Sequence, residues 1–227
     1  MIVDRPLKLG ELLAETVRLY GQRIWASAVL GLVFAGALLA AHSIGHAVAL
    51  VVIVSLAATA CYAAATRIVL GDPAAEAWAQ VALRLPVLLV LTVIVSVPFV
   101  LIIVNVFILF FSVAWFAFVG LSIPVAMAEQ PPGGAAWFRL VAYSVTRASD
   151  LARKEYLHVL GVCAAFTVLF GILAPFLALL LTGFADNGSL SASLMASGVL
   201  GPFFFLGLSV LYFEQKARAL SSPQPKT

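Results

Sequence analysis

The residues best suited to chemistry in this chain are three histidines and two cysteines. His42 and His46, in AAHSIGHAVA, have the i, i+4 spacing that lets two imidazoles on one helix face share a metal ion. Ser43 and Gly45 lie between or beside them, at the only break between two apolar runs, so the pair is expected to line a turn. No acid or thiol stands close by to complete a ligand set, and His158 falls on the opposite side in the topology derived below. No metal and no other cofactor is expected. Cys61 and Cys163 both fall inside apolar runs at similar depth near the reducing side, where a packing role fits better than a disulfide.

A second set of candidates is basic and aromatic. Arg139, Arg147, Arg153 and Lys154 lie in the longest polar segment, 129–156, and Trp78 and Trp137 each stand among small residues ahead of a long apolar run. These six suit contact with anionic lipid or a protein partner, because each basic residue near an anionic surface contributes about 1 kcal/mol. The competing reading is a plain electrostatic anchor. Catalysis has less support: none of the apolar runs contains Asp, Glu, Lys or Arg. Proton-coupled transport and intramembrane hydrolysis both need such groups in the membrane interior. No enzyme activity is expected.

The elements that must position these residues are membrane helices. Apolar residues make up 63% of the 227, charged residues only 10%, and the mean hydropathy is +1.12, far from a soluble composition. Six runs are long enough to span a bilayer: 24–41, 47–66, 87–104, 106–128, 157–184 and 190–213. The third and fourth form one unbroken stretch, expected to turn near Asn105. All 13 basic residues fall before the first span, after the last, or in the two loops on that same side. The positive-inside rule then places both termini in the cytoplasm. Such a one-sided scatter is membrane orientation and not a nucleic-acid surface, despite a pI near 9.1.

Each pair of spans is preceded by a short segment with helical apolar spacing. Leu9, Leu12, Leu13, Thr16 and Tyr20 form one such face; Trp78, Val81, Ala82 and Leu85 a second; Trp137, Leu140, Val141 and Ser144 a third. Asp72 is the expected N-cap of the second, with Pro73 at its first position. The predicted fold is therefore an all-α polytopic membrane protein with six transmembrane helices as three hairpins, each led by a cytoplasmic interfacial amphipathic helix. Residues 1–220 form a single domain and 221–227 a flexible tail. Small residues at Ser27, Gly31 and Ala35, and at Ser55, Thr59 and Ala63, predict close packing of the first two spans. Pro98, Pro175 and Pro202 predict kinks in the third, fifth and sixth.

Three stretches, LGELLAETVRLYGQ, IPVAMAEQ and LSVLYFEQKAR, resemble the bacterial family called the glycerophosphoryl diester phosphodiesterase membrane domain. The resemblance implies a last span ending in an aromatic pair, an acid and a basic residue, here Tyr212, Phe213, Glu214 and Arg218. Relatives of that kind also carry a basic-Ser-Trp cluster in the third interfacial helix, from which the spacing of Arg139 and Ser144 departs. The soluble, metal-binding catalytic barrel found in such phosphodiesterases has no counterpart here. The chain reads as a non-enzymatic bacterial inner-membrane protein, an accessory or lipid-interacting component. Its partners are membrane lipids, anionic ones included, and a protein at the cytoplasmic face. A facilitator or exporter of a lipid-like or apolar small molecule is the alternative.

Overall fold

The computed structural model of the chain describes residues 7–101, 108–131, 136–182 and 188–221. Among them are ten α-helices and no strand: α1 (Leu9–Gln22), α2 (Ile24–Ile44), α3 (Ala47–Leu70), α4 (Ala74–Leu83), α5 (Leu85–Leu101), α6 (Ile108–Val119), α7 (Ser122–Ala128), α8 (Trp137–Lys154), α9 (Tyr156–Thr182) and α10 (Gly188–Ser221). Five stretches are long and apolar enough to cross a membrane: α2, α3, α6 with α7, most of α9, and α10 from Leu190. A sixth is reached by joining α4 to α5, which meet at a bend of 81°. The chain is an all-α protein with five to six candidate spans. The predicted turn at Asn105, the last residues of the third and fifth predicted spans, the loop through 187 and the C-terminal tail beyond Ser221 lie outside the described residues.

Single residues separate the short polar helices from the apolar ones that follow. Arg23 (φ −117°, ψ 39°) divides α1 from α2, Arg84 (φ −100°, ψ 13°) divides α4 from α5, and Glu155 (φ −141°, ψ 54°) divides α8 from α9. At Arg84 the cause is local: Pro86 has no N–H to return to Ala82, and its ring suits the first turn of a new helix. The predicted fourth span, 106–128, is not one unbroken helix, because α6 and α7 are parted at Gly120–Leu121. Pro124 removes the bond to the Gly120 carbonyl, which the Ile123 N–H takes instead at 3.4 Å.

The buried faces of the short helices follow helical spacing: Leu12, Thr16 and Leu19 in α1, Ala77 and Val81 in α4, and Leu140, Ser144, Ala148 and Leu151 in α8. Leu9 and Trp137, also expected on these faces, are exposed, and two further details differ from expectation. Ala82 and Leu85 are exposed, since the helix ends before the stripe is complete. Asp72 does not cap α4. Gly71 adopts the left-handed conformation (φ 110°) that ends α3, and this turn carries Asp72 back to Arg67, leaving Pro73 at the N-cap.

The core centres on α10, where Leu206, Leu208, Val210, Leu211 and Tyr212 are buried. α10 packs against α1, α2, α3 and α9. The small row of α2 faces α10 as well as α3: a Cβ on Gly31 would stand 2.0 Å from the carbonyl oxygen of Gly198. That carbonyl is the one Pro202 cannot serve, so a freed backbone oxygen and a glycine on the facing helix share the space. α2 and α3 do meet, with the Cys61 Sγ 3.6 Å from the Leu30 carbonyl, and both cysteines are free thiols. Around this core Leu32, Val93, Phe110 and Leu179 point outward, mostly exposed, as lipid-facing side chains do.

Candidate functional site: a carboxylate junction at the basic end

α10 contains 34 residues, about 51 Å at 1.5 Å per residue, which exceeds a hydrocarbon core of about 30 Å. Its last turns therefore extend beyond the apolar layer, and they carry Tyr212, Glu214, Gln215, Lys216 and Arg218. Positions 212 and 216 share one face of the helix, and 214 and 218 another. Each face meets a carboxylate network.

On the first face the acid is Glu129, the residue that ends α7. Its Oε1 accepts a hydrogen bond from the Tyr212 hydroxyl at 2.8 Å and pairs with Lys216 Nζ at 3.1 Å. Its Oε2 accepts from the Tyr143 hydroxyl at 2.8 Å and lies 3.6 Å from Arg147 Nε. Burial works against the charge of Glu129. The hydrogen bonds from Tyr143, Tyr212 and Lys216, with the Lys216 charge, outweigh it and hold the carboxyl below its ordinary range. Tyr143 is pushed up by burial and by the same carboxylate. One acid thus ties α7, α8 and α10 together.

On the second face the acid is Glu214, whose side chain is wholly buried. It accepts from Arg218 Nε, from Gln215 Nε2 at 2.7 Å and from the Leu7 N–H at 3.4 Å, with His158 Nε2 at 3.5 Å. Arg218 also pairs with Glu155 and donates to the Leu7 carbonyl at 2.9 Å. The lead-in to α1, the α8–α9 junction and the end of α10 are clasped by these groups. A buried charge costs several kcal/mol unless it is paired and hydrogen-bonded, and here it is both.

The six residues singled out in sequence do not form one patch. Arg147 is half-buried and drawn to Glu129. Arg139 is exposed beside Phe138, Arg153 is exposed with its guanidinium 5.5 Å from the Phe118 ring, and Lys154 is exposed at the end of α8. Trp137 is exposed, edge-on to Phe138 at 6.1 Å, whereas Trp78 is half-buried on α4, with no acceptor for its buried Nε1. Arg147 therefore belongs to the internal network, and Arg139, Arg153 and Lys154 to the outer surface of α8.

Sequence reasoning misses Glu129 as a centre, although this acid stands in the IPVAMAEQ stretch. The signal was a lone acid directly after an apolar run, with Tyr and Arg spaced four apart in the helix beyond. His158, which the sequence offers only as a remote metal ligand, stands against Glu214.

Each of the two carboxylates is met by several donors drawn from different helices, which makes them organisers of this end of the bundle. His42 and His46 are exposed at the left-handed Gly45 turn (φ 73°), beside an open depression of about 340 Å³. Among the described residues, no group of three His, Cys, Asp or Glu side chains is placed to hold a metal ion. The crevice between α9 and α10, walled by Phe166, Phe170, Leu173 and Phe203, has room for about 10 Å³, roughly one water at most. No family model, curated protein or solved structure matches this chain.

Proposed function

We propose that this protein is a non-enzymatic accessory component of a bacterial inner membrane, with both termini cytoplasmic, and that its specific work is done at the basic end. The observation that carries this reading is the division of polar groups. Among the described residues, the charged side chains are gathered at one end, several of them organised by Glu129 and Glu214 into a platform, while Arg139, Arg153 and Lys154 project from α8 with no acidic side chain against them.

The three short helices, each joined to an apolar helix by one residue, support a plan of three related units lying in the headgroup plane. The resemblance to the glycerophosphoryl diester phosphodiesterase membrane domain fits the same plan, since its signatures contribute Glu129, Tyr212, Glu214 and Arg218 to the platform.

The test replaces Arg139, Arg153 and Lys154 with Gln together. Loss of co-purifying anionic lipid, or of a captured partner, with normal expression and folding is expected. Unchanged lipid and partner content would reduce the surface to an orientation anchor.

A further inference from the structure

Arg84 is a half-buried cation without a counter-ion among the described residues. It is the single residue joining α4 to α5, and its Nη1 is closed off from solvent with no hydrogen-bond partner. Among the described residues it forms no ion pair. Burial, and then the like charge of Arg67, push its proton affinity down.

Arg67 has its own acid. Asp72 Oδ2 accepts from Arg67 Nε at 2.7 Å and from Nη2 at 2.6 Å, and Arg67 Nη1 donates to the Met127 carbonyl at 3.3 Å. The corner between α3, α4 and α7 thus holds two guanidinium groups and one carboxylate. Glu76 is exposed two turns away on α4 and makes no contact with Arg84. Donors are in surplus here, and an acceptor carrying negative charge is missing.

Two simpler accounts fall short. An arginine that snorkels to water keeps its nitrogens open, whereas Nη1 is covered. The carbonyl end of α4 attracts a cation, but a helix of ten residues offers only partial charge and no full counter-ion.

We propose that Arg84, with Arg67 beside it, binds a phosphate-bearing anion at this corner, the headgroup of an anionic phospholipid. Arg84 is covered only in part: Nη1 is closed off, while Nε and Nη2 form the edge available to two phosphate oxygens in the forked geometry that a guanidinium favours. The lipid source deepens the lipid reading above, but the site rests on residues of α3 and α4 and not on the α8 surface.

Full-length protein in neutral detergent is titrated with phosphatidylglycerol, with phosphatidylcholine and, separately, with inorganic phosphate, and binding is read by native mass spectrometry. Wild type should retain phosphatidylglycerol over phosphatidylcholine, and Arg84→Gln should weaken this at least about tenfold. Arg84→Lys keeps the charge, loses the fork and should lie between. Arg84-dependent retention of inorganic phosphate without lipid preference would keep the site and assign it to a soluble phosphate anion. Equal binding in wild type and Arg84→Gln, or no retention of either ligand by wild type, would overturn the proposal. Should Arg84→Gln fail to fold, Arg84→Lys and the wild-type titration still decide. The α8 triple variant separates the two readings: if it alone loses lipid, the platform stands and this site does not.

Discussion

Glu214, wholly buried, and Arg84, half-buried, are ionisable groups at the same end of the bundle, and their surroundings differ completely. Glu214 is met by an arginine, a histidine, a glutamine and a backbone N–H. Arg84 is met by another arginine's charge. A charge supplied with partners from inside the chain holds helices together; one left without them needs its partner from outside. Stability and binding should therefore separate along this line, and the expected effects can be ranked.

The largest loss should come from Glu214→Ala, which strands Arg218 in a buried clasp. Breaking a buried pair from one side costs about 3–5 kcal/mol, read as a lower Tm in detergent. An unchanged Tm would mean the clasp is ornamental. Next is Gly31→Ala, whose methyl would lie 2.0 Å from the Gly198 oxygen. Overpacking of this kind costs about 1–3 kcal/mol, and Gly36→Ala, in open space on the same helix, serves as its control.

Smaller again is the pH response of Glu129. Its carboxyl lies below the unfolded value, so its contribution is present above the unfolded carboxylate pKa of about 4.3 and is lost as pH falls through the folded value. Tyr143→Phe, removing one of its donors, should cost about 1 kcal/mol at neutral pH and raise the folded pKa, so that the loss on acidification is smaller and is complete at higher pH. A variant with the wild-type acid profile would contradict the assignment. The smallest stability change, within about 0.5 kcal/mol, is expected for Arg139, Arg153 and Lys154 changed together to Gln, since all three are exposed.

How much of this was legible in the sequence depended on what each feature rests on. Apolar runs announce spans because length and hydropathy suffice, and the core faces of α1 and α8 follow from local periodicity. The break at Gly120–Leu121 was also present in GLSIP, but the length of the apolar run concealed it. The role of Asp72 was misread because a cap and an ion pair compete for one carboxylate, and the Gly71 turn favours Arg67. Glu129 required knowledge of which helices meet: its donors come from 14, 83 and 87 positions away, separations that no periodicity reveals. The same holds for Arg84, identified by partners it does not have.

The central claim is that charges satisfied within the chain are structural, while Arg84 and the outer α8 residues wait for an anion. A ligand that binds the folded state raises its stability in proportion to occupancy, so the most direct measurement is the Tm of wild type and of Arg84→Gln, each with and without phosphatidylglycerol. The account predicts that the lipid raises the wild-type Tm by several degrees and the Arg84→Gln Tm by clearly less, phosphatidylcholine having no such effect on either. An equal rise in both proteins, or none in wild type, would contradict it.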